Sequence, residues 1–227
     1  MSDARVVTID GPSGSGKGTI SRAVARRVQW HLLDSGALYR LVALAGLERG
    51  LDPDDISGHT ELASSMEISF GSRADGGEEV MLFGREVTAE VRSEVAGQGA
   101  SRVAAWPGVR TALLGRQRAF CRPPGLVADG RDMGTVVFPA AALKIFLTAS
   151  PAERALRRYK QLKDKGSDVS LPALSREIAE RDLRDSTRKA SPLKAAPDAH
   201  VIDSTELAID AVVDRVLELG RNRSLWS

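Results

Sequence analysis

The segment Gly11-Pro12-Ser13-Gly14-Ser15-Gly16-Lys17-Gly18-Thr19 follows the apolar run Val6-Val7-Thr8-Ile9-Asp10 and opens onto a helical pattern. Glycines at 11, 14 and 16 let successive backbone N–H groups converge on one point, where the positive end of the following helix dipole adds to them. A polyphosphate suits that point, and Lys17 supplies an ammonium for its outer phosphates at the spacing G-x-x-x-x-G-K. A glycine-rich turn that merely joins a strand to a helix explains the glycines but not the lysine. The pattern departs from its usual form by one residue. Gly18 stands where a Ser or Thr commonly holds magnesium, and the hydroxyl comes one position later, at Thr19.

Further chemistry-bearing residues recur at strand ends and along helices. Leu126-Val127-Ala128-Asp129 is a short strand ending in a carboxylate, followed by Gly130-Arg131-Asp132-Met133-Gly134. An acid at such a strand end commonly sits near magnesium in phosphate-loop proteins, although Asp129 can also be read as capping the next turn. Arg154, Arg157 and Arg158 share one helical face, and Arg181, Arg184, Asp185 and Arg188 form a similar stripe. Arginine binds phosphate bidentately while staying fully charged, so these stripes suit a lid over a phosphate-transfer site. Lys160, Lys163 and Lys165 read as an ordinary solvated face. Transfer of a γ-phosphoryl group needs a cradle for the donor, a divalent metal, cations around the transferred group and exclusion of water. An acceptor that is itself a phosphate needs little help from a base. His31, His59 and His200 share no motif with a nucleophile, so they read as structural or surface residues.

The elements that must position these groups follow from periodicity. Apolar residues at Ile20, Ala23, Val24 and Val28 predict an amphipathic helix over Lys17 to Val28. Trp30 to Leu33 reads as a second strand and Leu38 to Glu48 as a helix stopped by Gly50. A strand, crossover helix, strand order predicts parallel pairing with ligands outside the carboxyl ends, which puts Asp34, Ser35, Tyr39 and Arg40 on the side of the phosphate loop. Short strand-like pieces at Glu67–Ser69, Glu79–Phe83 and Glu86–Thr88, around turns at Asp75-Gly76-Gly77 and Gly84-Arg85, predict a small antiparallel insertion; an irregular surface loop is the other reading. Helical patterns then run over Val95–Ala105 and from Pro107 to about Phe120. Leu143 to Leu147 is a core strand, and Ser150-Pro151-Ala152-Glu153 opens a helix with a capping box. A helix over Leu171–Ser186, a strand at His200–Asp203 and a closing helix over Leu207–Leu219 complete the order. The tail from Arg221 to Ser227 carries no readable signal.

At 227 residues the chain suits one α/β core, with or without a small insertion. A net charge of +2 argues against a dedicated nucleic-acid coat. The single cysteine, Cys121, has no partner for an internal disulfide, and no Cys/His cluster has zinc spacing. No stretch approaches the ~20 apolar residues of a membrane span, and no signal-peptide pattern opens the sequence. The expectation is a soluble, cytoplasmic protein with no membrane or nucleic-acid partner.

The loop ending Gly16-Lys17-Gly18-Thr19 resembles that of the nucleoside monophosphate kinases. Leu33-Asp34-Ser35-Gly36-Ala37-Leu38-Tyr39-Arg40, Ala128-Asp129-Gly130-Arg131-Asp132-Met133-Gly134-Thr135 and Arg181-Asp182-Leu183-Arg184-Asp185 resemble signature segments of the bacterial cytidylate kinases, over nearly the whole chain. That resemblance implies a three-layer phosphate-loop fold with a parallel five-stranded sheet, an antiparallel nucleotide-binding insertion at about 63–95, a core of 1–62 and 96–227, and a helical lid at about 152–170. It implies ATP and magnesium as cofactors, CMP and dCMP as acceptors, and a monomer of pyrimidine nucleotide metabolism. ATP would lie on Gly11 to Thr19, with Arg154, Arg157 and Arg158 in the lid. Lys17, Asp129, Arg131 and Arg188 would serve the transfer. Arg40, Arg131 and Arg188 would surround the acceptor phosphate, Ser101, Arg110 and Asp132 would read the base, Arg181 and Asp185 would approach the ribose, and Ser35 and Tyr39 would line the acceptor. No direct metal ligand is expected, with Thr19 and Asp129 in the outer shell. Gly97, Gly99 and Ser186-Thr187 match no segment of the family pattern. The other readings are a small-molecule kinase of the UMP or shikimate type, whose hydroxyl acceptor in the shikimate case would not call for so many arginines, and a nucleotide-dependent switch protein, weakened for GTP by the lack of Asn-Lys-x-Asp.

Overall fold

The computed structural model describes residues 5–72, 78–164 and 166–226, so the expected Asp75-Gly76-Gly77 turn and Lys165 lie outside the described residues. The chain divides into two compact units, one formed by Met1–Asp34 with Gln117–Ser227 and the other by Ser35–Arg116.

The first unit is built on a five-stranded parallel sheet of order β2-β6-β1-β7-β8, where β1 is Arg5–Asp10, β2 His31–Asp34, β6 Gly125–Gly130, β7 Leu143–Thr148 and β8 His200–Asp203. The two N-terminal strands are parallel, as the strand-helix-strand order predicts, but they are not neighbours, because β6 lies between them. Sequence order alone cannot reveal an intervening strand that comes nearly a hundred residues later. Register aligns Asp10 with Gly130 and Asp34 with Asp129. The loop after β1 and the acids ending β2 and β6 therefore share one end of the sheet.

Alternation along the strands assigns the two faces. Val7, Ile9, Leu143, Ile145 and Leu147 join Ile20 and Val24 of α1 (Lys17–Val28) and Val212, Val213 and Val216 of α9 (Ile209–Arg221) in one core. Thr8 and Asp10, at the intervening positions, face the other way, toward a π-helical turn at Met133–Val137. That turn has no signature in the sequence. Two helices, α7 (Pro151–Lys163) and α8 (Leu171–Thr187), pack together between β7 and β8.

The tail is structured. Trp226 meets Trp30 edge-to-face at 5.3 Å between ring centroids, and its indole N–H donates to the Leu217 carbonyl at 3.1 Å. A Cβ at Gly220 would lie 1.8 Å from the Trp226 ring. Arg5 Nη1 donates to the carbonyls of Ser224 and Leu225 at 2.8 and 2.7 Å, so the first strand and the tail hold each other. Trp226→Ala is expected to cost about 2–3 kcal/mol, below the full buried-tryptophan cost because the side chain is half-buried. Urea unfolding checks this, and the Michaelis constants should stay unchanged.

The second unit carries α2 (Ser35–Glu48), α3 (Ile56–Ser65), a three-stranded antiparallel sheet of β3 (Ile68–Ser72), β4 (Glu78–Leu82) and β5 (Arg85–Glu86), a short α4 (Thr88–Val91), α5 (Glu94–Val103) and α6 (Pro107–Ala119). The antiparallel insertion is thus present. Sequence periodicity missed α3, whose Asp55 caps it by accepting from the Gly58 amide at 2.9 Å. No described helix is long and apolar enough to cross a membrane.

Candidate active site

The loop after β1 is shaped by three glycines. A Cβ at Gly11 would lie 2.0 Å from the Leu147 carbonyl oxygen, and Gly14 and Gly16 hold φ of 77° and 88°, where an L side chain is strained. Gly16 ends the loop at the N-cap of α1 without a side-chain cap, so the first-turn amides of that helix are left to an anion. Lys17 folds back, donating from Nζ to the Pro12 carbonyl at 3.1 Å. Burial, then the nearby Arg131 and Arg181 guanidiniums, lower the Lys17 pKa, while Asp129 and Asp185 oppose them. A lysine held among cations at an uncapped helix N-terminus fits a polyphosphate, whose charge restores its full protonation.

Gly18 stands close to Asp129. A Cβ there would lie 3.2 Å from Asp129 Oδ2, a tight contact with the carboxylate near the end of β6 that a shift of a few tenths of an ångström would relieve. Burial pushes the Asp129 carboxyl up, Lys17 pulls it down, and Asp34 adds to the rise. Asp129 thus sits against the loop helix beside Lys17. Thr19 is exposed.

The arginines of α7 are placed differently from the expectation that they gather toward a nucleotide. Arg154 is 3% exposed and all its guanidinium nitrogens are engaged. Nε donates to the Ala149 carbonyl, Nη1 to the Ser13 carbonyl at 3.1 Å and to Asp182 Oδ1 at 3.0 Å, and Nη2 to Asp182 Oδ2 at 2.5 Å. Arg157 reaches the Ser15 carbonyl at 3.4 Å and the Ser204 carbonyl and hydroxyl, and Ser204 Oγ lies within donating distance of the Thr148 and Ser15 carbonyls, at 3.0 and 3.2 Å. Both arginines therefore grip the outer carbonyls of the loop, which turns its amides toward the anion side. Arg158 lies beyond, with Gln161 Oε1 at 2.6 Å. Only half of the expected capping box forms: Ser150 Oγ accepts from the Glu153 amide, but the Glu153 carboxylate is taken by Arg157 at 2.9 Å, and Thr205 Oγ1 accepts from the Ser150 amide instead.

Along α8, Leu174, Ile178, Asp182 and Asp185 continue one inward stripe. Asp185 is buried and accepts from Arg131 Nε at 2.9 Å. Burial alone would push its carboxyl up, but Arg131, Arg181 and Arg188 hold it below the usual carboxylate range. Arg188 is anchored through Nε to the Ser191 carbonyl at 2.6 Å. The first unit thus brings Lys17, Asp129, Arg131, Arg181, Asp185 and Arg188 into one electrostatic cluster. Ser186 and Thr187 both bond back to the Leu183 carbonyl, which tightens the last turn of α8.

The second unit carries Ser35, Tyr39 and Arg40 on α2, Ser101 on α5 and Arg110 on α6. Arg40 of α2 donates from Nη1 to the Val91 and Ser93 carbonyls at 3.1 and 3.0 Å. A Cβ at Gly97 would lie in tight contact, 3.1 Å, with both Nη atoms of Arg40, and one at Gly99 would meet Ala43 Cβ at 2.7 Å. These glycines let α5, which carries buried Ser101, close on α2, which carries buried Ser35 and Tyr39. Arg110 donates to the Ala104 carbonyl at 3.0 Å and lies 5.6 Å from the Tyr39 ring centroid.

Asp182 has no role of its own from the sequence within its signature segment, and Ser204 is not singled out there. For Asp182 a signal existed, because a carboxylate four residues after Ile178 on an inward stripe needs a buried cation; Ser204 carried none.

The protein-family model described as cytidylate kinase matches residues 7–222 of this chain. The chain belongs to the cytidylate kinase family. It is 57% identical over 214 residues to a cytidylate kinase of Shewanella denitrificans, covering 94% of each chain. It is 58% identical over 214 residues to one from Pseudomonas aeruginosa, covering 93% of each, and 55% identical over 213 residues to one from Azotobacter vinelandii. For a cytidylate kinase the Arg154–Asp182 grip predicts a measurable effect on the donor side. Asp182→Asn leaves a buried guanidinium half-paired and is expected to cost about 2 kcal/mol, discounted for the partial exposure of Asp182. The KM for ATP is expected to rise about tenfold through the loosened loop. Thermal melts and steady-state kinetics with varied ATP read the two effects.

Proposed function

We propose that this chain transfers the γ-phosphoryl group of ATP to CMP, and to dCMP, releasing ADP and CDP or dCDP. The observation that carries the reading is the cluster of Lys17, Arg131, Arg181 and Arg188 around Asp129 and Asp185 in a member of the cytidylate kinase family. Such a cation set neutralises charge on a donor polyphosphate and on an anionic acceptor, which needs no general base.

The loop amides of Gly11 to Thr19 and Lys17 hold the phosphates of ATP, while Arg154 and Arg157 keep the loop open and Arg158 belongs to a lid at about 152–170. Magnesium would have Asp129 and Thr19 in its outer shell, and would supply charge neutralisation for the donor phosphates. Arg40, Arg131 and Arg188 bind the acceptor phosphate, with Ser35 and Tyr39 nearby on α2. Arg181 and Asp185 approach the ribose. Asp132 accepts from the cytosine amino group, and Ser101 and Arg110 donate to its acceptors. The insertion at about 63–95 contributes to nucleotide binding, and the protein works as a cytoplasmic monomer.

ADP release with ATP and magnesium against CMP, dCMP, UMP, AMP and shikimate tests the reading. Turnover with CMP and dCMP well above the others is the expected result. Preference for shikimate, or ATP binding with no turnover of any acceptor, contradicts it. Chelation of magnesium is expected to abolish turnover.

A further inference from the structure

Asp10 is a buried acid, 5% exposed, and it neither contacts the phosphate loop by a hydrogen bond nor makes an ion pair within 4.0 Å among the described residues. It closes β1 on the face opposite the α1–α9 core. Its Oδ1 accepts from the Met133 amide and its Oδ2 from the Gly134 amide, both at 2.8 Å. These amides open the π-helical turn over Met133–Val137, and Asp132 stands at the cap position of that turn.

An aspartate at a cap position ordinarily accepts, with its own side chain, the N–H of the second or third residue after it, here Gly134 or Thr135. Asp132 does not cap this turn. Asp10 holds the start of the turn instead, from a neighbouring strand, through the Met133 and Gly134 amides. The backbone of Asp132 is fixed from the other side as well, since its carbonyl accepts from the Val136 and Val137 amides at 2.9 and 3.2 Å. Close packing completes the clamp, because a Cβ at Gly134 would lie 2.8 Å from Thr8 Oγ1. Burial raises the Asp10 pKa to about 6 against the pull of the two amides, so the carboxylate is kept at a cost to the fold that an asparagine would not incur.

Resting on the cytosine-reading role given to Asp132 above, we infer that Asp10 is a positioning residue that caps the Met133–Val137 turn in place of Asp132, fixes the direction of the Asp132 carboxylate, and thereby sets discrimination between CMP and UMP. Asp10→Asn keeps the shape but presents one acceptor and one donor to two N–H groups, so one amide loses its partner.

Steady-state kinetics of the full chain with CMP, UMP and ATP are compared for the wild type, Asp10→Asn, Asp132→Ala and the double variant. Asp10→Asn is expected to raise the KM for CMP and to lower the CMP/UMP ratio of kcat/KM, each about tenfold, with the KM for ATP within about twofold of wild type. In the Asp132→Ala background the same change is expected to leave the ratio where Asp132→Ala alone puts it, since the two residues act through one carboxylate. An unaltered ratio in Asp10→Asn overturns the inference, as does an ATP effect equal to the CMP effect, which would make Asp10 a support of the phosphate loop. Additive losses in the double variant overturn it too. Where circular dichroism shows Asp10→Asn unfolded, Asp10→Glu, whose carboxylate is displaced by one methylene, is expected to lower the ratio in the same direction, and a wild-type ratio in a folded Asp10→Glu is the contrary result. A wild type indifferent to CMP and UMP overturns both this inference and the function on which it rests; a discriminating wild type with an indifferent Asp10→Asn overturns this inference alone.

Discussion

Lys17→Ala is expected to lower kcat for phosphoryl transfer by about 10³-fold or more while leaving the protein folded. The lysine is half-buried, folds over the loop to the Pro12 carbonyl, and stands close enough to Arg131 and Arg181 for their charges to lower its pKa. The hydrogen bond to the Pro12 carbonyl and the attraction of Asp129 and Asp185 only partly offset its burial and the repulsion of Arg131 and Arg181. A lysine whose folded pKa lies below its unfolded value binds a proton less readily when folded, so it costs stability at neutral pH, and the cost fades as pH rises toward the unfolded value. Its removal is therefore expected to leave the melting temperature unchanged or raised. Activity and stability should part company in this variant. Near-normal turnover would remove the lysine from the transfer step, and a collapsed melting temperature would show that it supports the fold instead.

Asp132→Ala is expected to reduce the CMP/UMP ratio of kcat/KM by about 10–100-fold while the KM for ATP stays within about twofold. Cytosine presents an amino donor where uracil presents a carbonyl, so a carboxylate there pairs with the first and faces the second acceptor to acceptor. Asp132 is 2% exposed, which keeps water from repairing the mismatch. Loss of discrimination should come mainly from weaker CMP turnover. Initial rates with each acceptor at saturating ATP read it, and an unchanged ratio would remove Asp132 from base recognition.

Local grammar made much of the fold legible. The loop from Gly11 to Lys17 carries its own spacing rule, Pro151 and Ser150 announce the start of α7, and strand β8 at His200–Asp203 has the same bounds in sequence and structure. What stayed hidden depends on partners distant in the chain. The placement of β6 between β1 and β2 is a property of three strands at once. Nothing local to Gly18 shows that Asp129, more than a hundred residues away, stands close beside it. Arg154 and Arg157 share the helical face that periodicity assigns them, but that face meets the loop carbonyls, and the arginines are spent on Ser13, Ser15, Asp182 and Ser204. Asp10 looked like the end of a strand because its capping role depends on amides of Met133 and Gly134. The tail, unreadable as sequence, owes its order to Trp30 and Gly220.

The account turns on one claim, that the cation cluster of this cytidylate kinase family member serves an acceptor phosphate whose base is read as cytosine. Competition in a single tube tests it most directly. With CMP and UMP at equal concentration, magnesium present and ATP limiting, phosphorus NMR or nucleotide chromatography follows CDP and UDP as they form. CDP is expected to account for nearly all of the ATP consumed. Equal formation of CDP and UDP, or consumption of ATP with neither product, would contradict the account.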